Sequence, residues 1–181
     1  MLQAIFYGRI PINQVFSFLY YTKQGITQKL INDLKYKNQQ EIGVYLGQWM
    51  AYELKKISLF NEVDCIIPVP LHPLKEKQRG YNQVAKLAKT LGKELDIPYQ
   101  PDLLIRTSTS TTQTLKQRFE RFSNNNTKFQ LIDTSFFANK HVLLIDDVIT
   151  TGATLEACCN ELLKTENIII SICTIAYTEK V

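Results

Sequence analysis

Short apolar runs alternate with helical stripes along most of this chain. Val142, Leu143, Leu144 and Ile145 form a fully apolar run, as expected of a parallel strand covered on both faces. Val63 to Ile67 is a second strand candidate, running into the proline-punctuated Pro68-Val69-Pro70, and the aromatic-rich residues 15–21 suggest a third. Residues 102–106, 129–132 and 168–175 complete the strand candidates. Between them the period changes to that of a helix. Ile26, Leu30, Ile31 and Leu34 make one face, and Ile42, Tyr45, Leu46, Trp49, Met50 and Leu54 a second. Val84, Leu87, Ala88, Leu91 and Leu95 make a third, and Leu155, Cys158, Cys159, Leu162 and Leu163 a fourth. Trp49 is read as core, because aromatic and Met residues at this spacing usually pack inward. Strands alternating with helices predict an α/β fold, a parallel sheet flanked by helices. The first two helices predict a small hood-like lobe over residues 1–60, leaning on a core formed by 61–181. One stretch has little to bury. Residues 107–114, all small and polar, are expected to be a mobile loop, as a lid or as a linker.

At 181 residues the chain is long enough for one full core, so a single domain is expected. Its apolar content of 45% and charged content of 21% are those of an ordinary soluble protein. A net charge of +4 permits an anionic ligand without calling for nucleic acid. Cys65, Cys158, Cys159 and Cys173 form no C-x-x-C pair, so neither zinc spacing nor a disulfide framework is signalled. No run approaches the roughly 20 apolar residues of a membrane span, and no signal-peptide pattern opens the chain. A cytoplasmic protein is expected.

The chemistry gathers where the apolar run at 142–145 ends. Asp146 and Asp147 follow it, at the carboxyl edge where open α/β sheets place their ligands. Thr150, Thr151, Gly152, Ala153 and Thr154 then turn into a helix whose first N–H groups and positive dipole end make a phosphate cradle. The carboxylates would repel that phosphate but can accept hydrogen bonds from vicinal hydroxyls or hold Mg²⁺ through water. A ligand with a phosphate at one end and a ribose diol at the other satisfies both halves. The alternatives are a plain strand with a capped helix, and a Walker-B-like magnesium site, although no G-x-x-x-x-G-K-[ST] accompanies the acids. A second cluster, Lys75, Lys77 and Arg79, lies just past the strand at 63–70, on the same sheet edge if the strands are parallel. It is either a solvated loop or a site for a leaving pyrophosphate. His72, between two prolines, is either a phosphate donor or structural.

Residues 145–154 resemble the phosphoribosyl-pyrophosphate (PRPP) motif of type I phosphoribosyltransferases: an apolar strand, two acids and T-T-G-x-T. The resemblance gives Asp146 and Asp147 the ribose hydroxyls and Mg²⁺, and Thr150 to Thr154 the 5′-phosphate. Purine-salvage enzymes of this fold carry an acid where this chain has Thr150, which argues against hypoxanthine-type salvage. P-V-P-L-H-P at 68–73 and R-G-Y-N-Q at 79–83 narrow the resemblance to the competence-protein-F-type (ComF) family. So do Leu30 to Lys37 and the spacing of Arg106, Gln113, Leu115 and Arg118. By resemblance, Pro70, Leu71, Lys75, Lys77 and Arg79 bind pyrophosphate, while Arg106, Gln113 and Arg118 belong to the flexible loop. Two departures stand out. Many members begin with a cysteine-rich zinc ribbon that this chain does not carry, so no zinc is expected in it. Glu76 also weakens the charge of the cationic stretch.

Two functions follow. One is an enzyme that transfers phosphoribosyl from PRPP to an acceptor with Mg²⁺ and releases pyrophosphate. The other is a non-catalytic PRPP or anion-binding module that handles single-stranded DNA or meets competence proteins during DNA uptake. A purely structural domain would require both motifs to be accidental. Neither the acceptor nor the oligomeric state can be read from the residues.

Overall fold

The computed structural model of the chain describes residues 2–58, 60–107 and 128–178. In chain order its strands are β1 (Gln14–Tyr20), β2 (Cys65–Pro68), β3 (Leu104–Thr107), β4 (Lys128–Leu131), β5 (His141–Ile149) and β6 (Ile169–Tyr177). Its helices are α1 (Ile26–Tyr36), α2 (Glu41–Lys56), α3 (Pro73–Arg79), α4 (Ala85–Leu95) and α5 (Ala153–Leu162). Four strands form a parallel sheet in the order β1-β6-β5-β2. The central strands β5 and β6 are almost wholly buried and mostly apolar, which is the pattern a sheet covered on both faces demands.

Strand alternation sorts the core into two layers. Val142 and Leu144 point to one face and pack with Leu155, Cys158, Cys159 and Leu162 of α5. Leu143 and Ile145 point to the other and pack with α1, α2 and α4, through residues such as Leu34, Met50 and Leu91. The N-terminal 60 residues thus contribute an edge strand and two helices to the same structure. β1 pairs with β6, and α2 lies against α4. That contact runs through glycines: a Cβ on Gly47 would stand 2.8 Å from Thr90 Cβ and 3.1 Å from the Leu87 carbonyl. Because α4 approaches along this small-residue face, the aromatic face of α2 turns outward. Trp49, expected in the core, is 55% exposed and packs edge-on with Phe18.

Three further expectations change. The acids do not end their strand, because β6 continues to pair with β5 as far as Ile149 while β2 stops at the Pro68–Ile145 position. Lys75, Lys77 and Arg79 lie on a short helix, α3, with Pro73 in its first turn and His72 as its cap. Residues 104–107 and 128–131 do not join the parallel sheet. β3 and β4 pair antiparallel as a separate ribbon, with Leu104, Phe129 and Leu131 against the α5 layer. Residues 108–127, with the expected loop and the Gln113 and Arg118 assigned to it, lie outside the described residues.

Candidate functional site

Asp146 and Asp147 sit in β5 immediately beyond the end of β2, on the lip that the shorter neighbour leaves open. Being adjacent in a strand, they point to opposite faces of the sheet. Asp147 turns toward α1 and α4, where Lys35 Nζ lies 3.0 Å from its Oδ2 and Gln83 Nε2 donates to the same oxygen at 2.7 Å. Asp146 accepts from the Asp147 backbone N–H at 2.8 Å. Burial, and next the Asp147 charge, push its carboxyl up to about 8, against that hydrogen bond and the weaker pull of Lys35 and Arg106. The Arg106 that feels this charge stands in β3, 5.6 Å from the centre of the Phe129 ring.

Past the acids the chain turns into α5. Thr150 and Thr151 are exposed, and Gly152 is buried with φ +76° at the N-cap. An added Cβ there would lie 2.9 Å from the Phe6 ring, so both the backbone conformation and the space call for glycine. No side chain caps the helix at Gly152, and Thr151 Oγ1 accepts only a long 3.4 Å bond from Ala153 N–H. Ala153 and Thr154, both exposed, open the helix with their N–H groups toward its positive end. Arg9 holds the turn from outside, donating to the Thr151 carbonyl at 3.1 Å and pairing with Glu156.

The second half of the site follows β2. Asn82 Nδ2 donates to the Val69 carbonyl at 2.9 Å, which ties the strand's exit to the start of α4 and shapes the turn through Pro70 and Leu71. His72 Nδ1 accepts from the Leu74 N–H at 3.2 Å, a capping role. On α3 the helical repeat separates the cations. Lys75, Gln78 and Arg79 face a cleft of about 290 Å³ shared with Lys35, Tyr36, Asn38 and Tyr81. Lys77 and Glu76 lie off that face, so the acid that weakened the stretch on paper does not line the cleft, and neither does Lys77. Tyr81 Oη donates to the Leu34 carbonyl at 2.5 Å and fastens α1 to this wall.

The cleft and the carboxylate are joined. Arg79 Nη1 donates to Gln83 Oε1, Gln83 Nε2 donates to Asp147, and Asp147 meets Lys35. Lys35 and Gln83 carry this connection, and the motifs did not assign them a role. Their signal was present in L-I-x-x-L-K-Y-K and in R-G-Y-N-Q. What could not be read was that α1 brings its last turn to the sheet edge.

A parallel sheet edge that carries an acid pair, a glycine turn and a basic cleft is that of a phosphoribosyltransferase-like protein, and comparison with known proteins agrees. The phosphoribosyl transferase domain matches residues 77–180, and the chain belongs to that family. Within it the chain is similar to proteins of the competence-protein-F type. It is 33% identical over 130 residues to Competence protein F of Haemophilus influenzae, covering 70% of this chain and 57% of that protein. It is 28% identical over 138 residues to the DNA utilization protein YhgH of Escherichia coli K12, covering 75% and 60%. The chain therefore spans less than two thirds of the length of these curated relatives. Among solved structures it is similar to a purine phosphoribosyltransferase from Pyrococcus horikoshii, with TM-score 0.48, 22% identity and coverage of 77% and 78%.

Proposed function

We propose that this protein binds PRPP and transfers its phosphoribosyl group to a nucleophilic acceptor, releasing pyrophosphate. The observation that carries the reading is the shared sheet edge. The acid pair lies in β5 just past the end of β2, and the uncapped N-terminus of α5 and the basic cleft follow the carboxyl ends of β5 and β2. In this reading Thr150, Thr151, Gly152, Ala153 and Thr154 wrap the 5′-phosphate, with backbone N–H groups of α5 as donors. Asp146 and Asp147 accept from the ribose hydroxyls. Pyrophosphate lies against Pro70 and Leu71 with Lys75 and Arg79 as its cations, and Lys77 adds only longer-range charge. The C1–O bond to pyrophosphate breaks as the acceptor's lone pair forms the new bond to C1. The positive charge that builds on the ribose ring is met by the carboxylates, and the charge on the leaving group by the cleft.

The fit of Mg²⁺ follows from the same geometry. The two carboxylates face opposite ways, and no group of three metal-ligating side chains occurs among the described residues. They suit an ion held mainly by ligand oxygens and reached through water by one carboxylate, which is how Mg²⁺ commonly binds. Bound there, it would supply charge neutralisation of the pyrophosphate.

A second reading is favoured by one observation. Tyr45, Trp49 and Tyr52 form an exposed row on α2, with Lys56 Nζ 4.0 Å from the centre of the Tyr52 ring. Aromatic faces beside cations are what single-stranded nucleic acid stacks on. The names of the relatives, which refer to competence and DNA utilization, point the same way.

Calorimetry of PRPP with Mg²⁺, on wild type and on the Asp146→Asn/Asp147→Asn variant, tests the first reading. Wild type should bind, and the folded variant should lose about tenfold or more in affinity, the loss of a charged hydrogen bond or two. A folded wild type that ignores PRPP overturns it. A single-stranded oligonucleotide titrated in parallel would then carry the second reading if its binding fell steeply with salt and with Trp49→Ala.

A further inference from the structure

Lys35 belongs to two places at once. Its ammonium is the counter-ion of the nearly buried Asp147, at 3.0 Å, and its side chain also lines the cleft with Lys75 and Arg79. The same Asp147 oxygen is held by Gln83, whose other end is held by Arg79. One oxygen of the carboxylate assigned to ribose hydroxyls, Oδ2, therefore already holds two partners. One of its two partners is fixed in the core, for Gln83 is buried. The other is a cation on a flexible four-carbon stem, free to turn without disturbing α1.

We propose that Lys35 is an exchangeable counter-ion, which neutralises Asp147 in the ligand-free chain and turns to a phosphoryl group entering the cleft, releasing the carboxylate to the ligand's hydroxyls. This rests on the PRPP reading of the site and adds to it a residue from the N-terminal helix and an order of events. The physics is a matched exchange. A buried carboxylate stripped of its cation is costly unless another donor arrives, and hydroxyls on the same ligand supply that donor. A ligand carrying only phosphoryl groups draws Lys35 away without replacing it, so inorganic pyrophosphate must bind against the Lys35–Asp147 attraction. Gln83 stays in place throughout and keeps Arg79 and Asp147 in register.

A double-mutant cycle read with inorganic pyrophosphate tests this by calorimetry. Asp147→Asn releases Lys35 and should tighten pyrophosphate binding about fivefold or more, in the range of directly coupled pairs. In a Lys35→Met background the same change should alter it less than about twofold. The double variant leaves no unpaired buried charge and so protects the fold. Lys35→Arg should restore most of the affinity lost in Lys35→Met, which a purely structural role would not require. An equal effect of Asp147→Asn in both backgrounds means that the carboxylate acts by simple repulsion, and overturns the proposal. So does a wild type that does not bind pyrophosphate. Pyrophosphate binding with the expected cycle but no PRPP binding would leave Lys35 as described and overturn the PRPP reading instead.

Discussion

Asp146 is an acid whose surroundings resist its charge. Burial, and next the Asp147 charge, raise the Asp146 carboxyl, so in the ligand-free chain it keeps its proton to a higher pH than an ordinary carboxylate does. The neighbouring Asp147 carboxylate is paired with Lys35. The same shift predicts a pH dependence of stability. In the unfolded chain this carboxyl ionises near its ordinary value of 3.8, whereas in the fold it holds its proton to about 8. Between those values the native state binds more protons than the unfolded one, so this group's contribution to stability falls as pH rises. Asp146→Asn keeps an acceptor for the Asp147 N–H and does not titrate. Urea midpoints should therefore diverge from pH 5 to pH 8.5 in favour of the Asn variant. Parallel midpoints would mean that Asp146 is ionised in the fold throughout. The acid pair was legible from residue order, since an apolar run followed by two acids and T-T-G-x-T is long and specific. Its opposed orientation follows from strand period alone, once β5 is known to continue past Ile145. That continuation depends on β6, a partner 28 or so residues away in the ladder.

At the scale of elements, the crossing of α2 and α4 decides how the helical layer is built. Helix propensity alone would make Gly47→Ala stabilising by about 1 kcal/mol. The crossing opposes it, because the new Cβ would stand 2.8 Å from Thr90 Cβ and 3.1 Å from a backbone carbonyl, neither of which is the end of a flexible chain. Separating packed helices costs about 1–3 kcal/mol, so the variant should be less stable than wild type by urea denaturation. A gain would show that the two helices separate freely. The same crossing explains Trp49. Two rows of α2 have helical spacing, one aromatic (Tyr45, Trp49, Tyr52) and one small or aliphatic (Gly43, Leu46, Gly47, Met50, Leu54). Periodicity merges them into one stripe, in which Leu46, Met50 and Leu54 are buried and Tyr45 and Trp49 are not. What chooses is the closeness of α4, a tertiary fact. α3 is a different lesson, because Pro73 after a cap-competent His72 is a helix start in the residues themselves, hidden by the charge run. The β3–β4 ribbon was unreadable for a third reason: its partners are joined through residues 108–127, and nothing local says whether two strands meet each other or the main sheet.

For the whole molecule, two core layers share one sheet, and residues from both ends of the chain enter each of them. Phe6 and Ile10 pack in the α5 layer, while α1 and α2 cover the opposite face with Cys173, Ile175 and Ala176 of β6. We take residues 1–181 as a single domain in which the N-terminal segment does not open on its own. The four cysteines test this, because each is buried and they report on both layers: Cys65, Cys158 and Cys159 on one side, Cys173 on the other. Burial pushes the Cys65 thiol up to about 11 and Cys159 to about 12, and raises Cys158 and Cys173 as well. At pH 8 the reactive thiolate is thus scarce as well as inaccessible, so a thiol reagent can label the protein only through opening. Opening of one cooperative unit exposes all four thiols together, and peptide mass spectrometry should then find them modified at a common rate. Detachment of α1 and α2 alone would bare the layer that holds Cys173 and leave the α5 layer closed. Labelling of Cys173 about tenfold or more ahead of the others would therefore divide the chain into two folding units. It would also make the Lys35–Asp147 contact a property of their docking, since Lys35 would leave with α1.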